Sequence, residues 1–427
     1  MLNDMKRIPG WFNENLGLVL LVVSFYLFTS KSLYNISFAV MAVLGMYRLW
    51  HDHDFMFKRR ETRLFGMLFL GLWLPMLISL TDAFVTFRSA QNVIPYLRFY
   101  FAGVYVLYEM LRGRRILELT EKAFFIIMLF WSLDGTLQFL TGRDIFGYPY
   151  AGGKFLTGPF YPDTTISHVL AGFSGMFFES LRRRSAGRPW IWLFVLPLYI
   201  VIFAAGRRSV WFMLALNTLG FAAYHIVMAA RRRRIVAYLL SGTVLIAVVF
   251  GAMFATQKTV QQRVYKTLGL FSTNTTEIDR ALSHRLDIWV VAWHMYEDHW
   301  INGIGPRGFR FAYQDYAGKN NYFYKTGQTH PHMMMLEILA ESGTIGFAGY
   351  AFFQLLLWRN MKRYIHDKTC FACFLTLITA SFPINSHVAF YGAYWSSILW
   401  WMILFMIMNV MNHDGSNKKD ARADTAV

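Results

Sequence analysis

Arginine and lysine fall in short clusters along this chain, and two apolar runs separate each cluster from the next. The clusters read KRRETR at 58–63, RGRR at 112–115, RRRSAGR at 182–188, RRRR at 231–234 and RNMKR at 359–363. MKR at 5–7 and NKKDARAD at 417–424 carry the pattern to both ends. A bilayer-spanning helix needs roughly 20 mostly apolar residues, and the loops on the cytoplasmic side are enriched in Lys and Arg. Lipid offers the backbone no hydrogen-bond partners, so apolar runs of this length must satisfy their amides internally, as helices. The pattern predicts an all-α polytopic membrane protein of twelve spans: 14–30, 33–50, 64–81, 92–111, 120–141, 164–181, 189–206, 209–230, 235–255, 333–358, 369–389 and 393–411. Both termini are then cytoplasmic. Nine spans occupy 1–255, a long outward loop occupies 256–332, three spans occupy 333–411, and 412–427 is a cytoplasmic tail.

The composition agrees. Hydrophobic residues make up 56% of the 427, against about 45–50% in soluble domains. No short apolar run followed by a cleavage site opens the chain, so its first hydrophobic segment is expected to be retained. The formal charge is +17, yet the positives are dispersed as anchors beside anionic lipid rather than gathered for nucleic acid. Cys370 and Cys373 read as two ordinary buried thiols. HDHD at 51–54 has ligand-type side chains, but its basic neighbours mark a solvated turn. No internal repeat is apparent.

Two features depart from the pattern. Segment 256–332 is polar and rich in Tyr, Asn and Gly, and loops of this length in compact proteins are usually functional. It is expected to carry short helices, with one around 277–299. The second departure is AAGRRSVW at 204–211, which sets Arg207 and Arg208 in a short outward turn. Such a turn should obey the charge rule, so an anionic ligand outside is the natural reason for it.

The same outward face should hold Arg285, in SHRLDIW, and His330 and His332, where the loop enters the tenth span. Arginine presents planar, bidentate donors matched to phosphate oxygens. A histidine with an ordinary pKa near 6.5 exchanges protons around neutrality. Together they suit group transfer from a lipid phosphate donor. Asp134 and Asp163 are candidate carboxylates near that face, but no Asp-x-Asp pair sits there to hold a divalent ion. Neither a phosphate-cradling loop ending in Gly-Lys-Ser/Thr nor a dinucleotide fingerprint occurs. ATP hydrolysis and nicotinamide chemistry are not expected, and no cofactor or metal is called for.

HPHMMMLEILAESGTIG, from His330, resembles the signature of the O-antigen ligase and polymerase superfamily: a histidine opening a helix, Leu/Glu-rich turns, then Gly-x-x-Gly. DHWINGIGPRGFRFAY at 298–313, which contains Arg307, is similar to its upstream glycine-rich turn. RRSVWFML at 207–214 and SHRLDIW at 283–289 resemble its two arginine segments, and DGTLQFLTGRDIFG at 134–147 a segment leading into an outward loop. One departure is visible: family members often carry Asn, Ser or Gln after the motif histidine, whereas Met333 follows His332. The polar neighbour's role is then either dispensable or taken by another group, such as Gln328 or His330.

The resemblance implies a GT-C-like glycosyltransferase in the bacterial inner membrane. Its donor is an O-antigen glycan on undecaprenyl pyrophosphate, and its acceptor a sugar hydroxyl of lipid A–core oligosaccharide at the periplasmic face. It implies His332 as general base and Arg208 and Arg285 as stabilisers of the departing pyrophosphate. Arg207, His330, Arg98, Arg307 and Tyr161 are further substrate-binding candidates, Tyr161 alongside Tyr148, Tyr150 and Phe160 as sugar-stacking rings. Each has an ordinary alternative, such as a helix cap, an interfacial anchor or an ion pair of Arg285 with Asp287 or Glu277. The polymerase, whose acceptor is another lipid-linked repeat, shares these motifs, as does a protein-glycosylating relative. A lipid-linked glycan transporter would bind the phosphate without chemistry, but its halves would be expected to repeat.

Overall fold

The structure is a computed structural model that describes residues 10–113, 115–229, 232–385 and 389–424. Met5–Arg7, Arg114 and Arg231 of the basic pattern lie outside the described residues. Within them the chain is helical, with two isolated β-bridges and no strand.

α1 (Gly10–Tyr26) and α2 (Tyr34–His51) lead through a one-turn α3 (Phe55–Lys58) into α4 (Arg60–Ile78). α5 (Thr86–Arg112) and α6 (Arg115–Thr141) follow, then α7 (Ile166–Gly172), α8 (Ser174–Arg184), α9 (Leu196–Ala204), α10 (Arg208–Val227) and α11 (Arg232–Thr256). Segment 256–332 folds into α12 (Lys258–Leu268), α13 (Thr275–Leu282), α14 (Arg285–Asp298) and α15 (Phe309–Tyr316). The chain closes with α16 (Met334–Arg363), α17 (Lys368–Ala380) and α18 (Ala393–Asp424).

Helix occupies all twelve expected span positions, but length and apolarity separate them. Among the described residues, five segments are long and apolar enough to cross a membrane: Arg60–Asp82, Arg115–Thr141, Arg208–Val227, Leu239–Thr256 and Ala393–Ser416. Asn15–Thr29, Pro189–Ala204 and Lys368–Ala380 are shorter apolar helices. The architecture is that of a polytopic helical membrane protein. Some expected segments differ in detail. The run at 164–181 is two helices broken at Phe173, the run at 369–389 stops being helical at Ala380, and the loop helix around 277–299 is split at Ser283 and His284.

α18 lies at the centre. Its apolar stretch is 94% buried, whereas that of α11 is 6% buried. Trp395, Trp400 and Trp401 of α18 are buried in the core. Buried indoles usually find acceptors: Trp400 Nε1 donates to Tyr96 Oη at 2.9 Å and Trp401 Nε1 to the Leu21 carbonyl at 3.1 Å.

Polar contacts gather at two opposite ends of the bundle. At one end the basic clusters meet acids: Arg183 with Glu121 and Arg182 with Glu179, each at 2.6 Å, and Arg112 with Glu109 at 3.2 Å. The other end holds segment 256–332 and the turns between α1 and α2, α4 and α5, and α6 and α7. There Lys31 meets Asp163 at 2.6 Å and His299 meets Asp82 at 2.8 Å.

α16 is interrupted there. Gly343 has φ 61° and ψ −160°, outside helical geometry, and the turn at 300–304 enters the gap. The amides of Thr344 and Ile345 donate to the carbonyls of Trp300 and Ile301 at 2.8 and 3.0 Å, and the Ile304 amide donates to the Ala340 carbonyl at 2.9 Å. The turn thus replaces the bonds that the break removes. Gly303 packs against the Glu341–Gly343 backbone, where any side chain would clash.

Candidate active site

Three helix starts carry the chemistry. Gly206, with φ 60°, ends the α9 turn, Arg207 precedes α10, and Arg208 is its first residue. Ser283 and His284 are both left-handed, with φ 62° and 58°, and release the chain into α14, whose first residue is Arg285. His332, also left-handed at φ 55°, stands one residue before the Met333 cap of α16. Consecutive left-handed residues other than glycine are strained, and such strain concentrates at functional sites. A cation at a helix start opposes the helix dipole, while an anion there is favoured by both.

Fixed contacts hold these starts. Arg207 Nη2 donates to Thr164 Oγ1 at 2.5 Å. Trp289, one turn beyond Arg285, donates through Nε1 to the Pro331 carbonyl at 3.2 Å. His330 lies beside His332, with ring centroids 3.9 Å apart, and its Nδ1 meets Thr329 Oγ1 at 2.9 Å. His332 Nδ1 is buried without a hydrogen-bond partner.

The electrostatics join the three starts into one site. Burial, and then Arg208, lower the Arg285 pKa to about 10. Burial, and then Arg285, hold the His332 pKa down at about 4. Burial, and then Arg263 of α12, push Arg207 below its ordinary range. His332 is therefore a neutral base at neutral pH, facing the Arg285 guanidinium. A bound anion would relieve the arginines and make the imidazole more basic. Arg207, Arg208, Arg285, His330 and His332 are brought together.

Arg307 sits in a different group. Its backbone amide donates to Glu341 Oε2 at 2.6 Å, and its Nη1 stands 3.9 Å from Glu337 Oε1. Glu337 and Glu341 are 1% and 0% exposed, which leaves this guanidinium as their facing cation. The Tyr391 amide donates to Glu337 Oε1 at 3.2 Å. Arg307 therefore braces the α16 break, and its left-handed φ of 63° fits the tight turn before α15.

Arg98 is also separate. Its Nη1 donates to the Pro95 carbonyl at 2.8 Å, and its guanidinium carbon stands 4.3 Å from the Phe99 ring centre. Tyr161 lies in the outward loop, its ring stacked on Tyr148 at 4.7 Å and 5°. Both rings remain partly exposed, while Phe160 is fully buried. Gln138 organises that loop: its Oε1 accepts from the Thr157 and Gly158 amides at 2.8 Å, and its Nε2 donates to Thr157 Oγ1 at 3.1 Å. Asp134 serves the same loop by accepting from the Ile145 amide at 2.7 Å.

Sequence reasoning assigned no role to Arg263, Lys266, Trp289, Glu337 or Glu341. A signal existed for the first two: Thr259, Arg263 and Lys266 are spaced to share one face of α12. Cys370 and Cys373 are both buried and unlinked, and Asp52 of the 51–54 turn pairs with Lys58 at 2.6 Å.

Residues 192–351 match the family model for O-antigen ligase. The matched stretch contains the α10, α14 and α16 starts with Arg207, Arg208, Arg285, Arg307, His330 and His332; Arg98 and Tyr161 fall outside it. No curated protein matches the chain. The match supports membership of the O-antigen ligase and polymerase superfamily, whose members are membrane glycosyltransferase-like enzymes.

Proposed function

We propose that this chain, with its O-antigen ligase segment, transfers a glycan from undecaprenyl pyrophosphate to a sugar hydroxyl of lipid A–core oligosaccharide at the periplasmic face of the inner membrane. The observation that carries this reading is the convergence of Arg208, Arg285 and His332 at three helix starts. In the proposed step the acceptor oxygen attacks the anomeric carbon and His332 takes its proton. The bond to the pyrophosphate oxygen breaks, and its electron pair leaves as negative charge that Arg208 and Arg285 stabilise. One direct displacement inverts the anomeric carbon. The donor supplies the free energy, so the step uses no nucleotide.

Arg207 and His330 complete the wall around the reacting groups, and the Tyr148–Tyr161 pair offers a flat apolar surface to the glycan. The exposed segment 256–332 and the loop at 142–163 then face the periplasm, with the basic clusters and both termini cytoplasmic.

The test is transfer by purified protein from a defined lipid-linked glycan to purified lipid A–core. His332→Ala, Arg208→Ala and Arg285→Ala should each abolish product while leaving the protein in the membrane; a fully active His332→Ala protein refutes the assignment. Elongation of a second lipid-linked glycan in place of the core would make the protein a polymerase. Absence of both products with intact lipid movement would make it a transporter.

A further inference from the structure

α12 touches both arginine-bearing turns. Its Arg263 side chain lies against Gly206: a Cβ built at Gly206 would stand 3.2 Å from Arg263 Cγ and 3.6 Å from Thr259 Cγ2. Less than one turn further along the same face, Lys266 Nζ donates to Ser283 Oγ at 3.1 Å. Ser283 belongs to the left-handed turn that releases Arg285. The flank of that face buries Val260, 1% exposed, which fixes the rotation of the helix. One short helix thus carries one cation to the Arg207–Arg208 turn and another to the Arg285 turn.

The result is an unbalanced concentration of positive charge. Among the described residues no ion pair joins Arg207, Arg208, Arg263 or Lys266 to a carboxylate. The nearby acids are engaged: Glu277 accepts from Ser272 Oγ at 2.6 Å, and Asp279 meets His284 Nδ1 at 2.7 Å. Burial first, and then Arg208, Arg263 and Arg285, push the Lys266 ammonium below its ordinary range. Like charges held at this spacing repel, and an anion with several charges and several acceptor oxygens relieves all of them at once.

We propose that α12 is the second wall of an anion cradle, in which Arg263 and Lys266 bind the same diphosphate as Arg208 and Arg285 and select a diphosphate-linked lipid over a monophosphate-linked one. The assignment of that diphosphate to the glycan donor rests on the transferase reading. The cradle itself is a binding property and does not. Arg208 and Arg285, one on each turn, grip the diphosphate from the two helix starts, while Arg263 and Lys266 close over it from the loop. A monophosphate offers too few oxygens to engage both walls.

The experiment is calorimetric titration of the full chain, in nanodiscs of phosphatidylcholine, with inorganic pyrophosphate and with orthophosphate. Pyrophosphate should bind more tightly than orthophosphate. Arg263→Gln and Lys266→Gln should each weaken pyrophosphate about tenfold, the loss of one charge-assisted contact, and scarcely alter orthophosphate. Arg263→Lys and Lys266→Arg, which keep the charge, should retain most of the affinity. Gln variants that bind pyrophosphate like the parent overturn the proposal, as does an equal loss in the charge-keeping variants, which would assign α12 to packing. Nanodiscs containing phosphatidylglycerol form the second arm: if they abolish pyrophosphate binding, the cradle belongs to a lipid headgroup and the proposal fails. No transfer occurs in these titrations. Selective binding without glycan transfer therefore counts against the transferase reading alone, and transfer without selectivity counts against the cradle alone.

Discussion

The indole of Trp289 donates to the carbonyl of Pro331 at 3.2 Å, tying the residue before His332 to the helix that starts with Arg285. The proposed base and Arg285 are thereby held by one frame, although they stand 47 positions apart in the chain. Trp289→Phe keeps most of the ring and removes the donor. It should lower kcat about tenfold, the cost of a loosened reacting geometry, with little change in the KM of the donor. Thermal stability should fall by only about 1 kcal/mol, the worth of one ordinary hydrogen bond. An unchanged kcat would show that Trp289 does not position the base.

The rate should depend on pH in two different ways. Free His332 titrates at about 4, because burial and then Arg285 disfavour its charged form. The acid limb of kcat/KM, which reports the free protein, should therefore lie near that value. A bound diphosphate offsets Arg285, so the acid limb of kcat should lie at higher pH, and Arg285→Gln, itself inactive, should raise the His332 pKa read by NMR of the imidazole. Coincident limbs, with a His332 pKa that ignores Arg285→Gln, would rule out this coupling. For stability the sign follows from the lowered pKa. Between about 6.5 and 4 the unfolded imidazole binds a proton that the folded one refuses, so the contribution of His332 is present above about 6.5 and is lost as pH falls towards 4.

Arg307→Met should destabilise the fold rather than simply weaken substrate binding. It leaves the Glu337 and Glu341 carboxylates, both fully buried, without the guanidinium that faces them. Breaking one side of a buried pair costs about 3–5 kcal/mol. Arg307→Met combined with Glu337→Gln should recover part of the loss. Cys370 and Cys373 are buried and unlinked, so a thiol-reactive dye followed during heating reads the transition directly. A transition temperature equal to the parent's would remove the brace from the account.

Gln138→Leu should loosen the loop at 142–163 without disturbing the bundle. The substitution leaves the buried amides of Thr157 and Gly158 without their acceptor. The local cost is about 2–4 kcal/mol, from two unsatisfied donors. Limited trypsin digestion at Lys154, which is exposed in this loop, should accelerate markedly while the helices stay protected. Cleavage at the parent's rate would show that other contacts hold the loop.

Class and rough helix positions were legible in the residues because the relevant energy is local and additive. An apolar run of sufficient length favours lipid wherever it sits, and an arginine cluster anchors beside a charged surface whatever its neighbours. Breaks inside the elements were less legible. Phe173 interrupts α7 and α8 without a proline, and Ser283 and His284 adopt a left-handed turn that favours glycine. Gly343 stood in the quoted motif, but its reason, the insertion of the 300–304 turn, needs a partner forty residues upstream.

The site divides in the same way. The sequence by itself determined which side chains had the right chemistry: two outward arginines at 207 and 208, another at 285 and histidines at 330 and 332. Only the tertiary structure decided which of them meet. Arg307 was as plausible a phosphate ligand as Arg285 until two buried glutamates claimed it, and Arg263 was one basic residue in a polar loop until it lay against Gly206. Charge is written residue by residue, but its effect depends on distance and burial. Both depend on how α12, α14 and the 300–304 turn pack, through contacts that no short window of sequence contains.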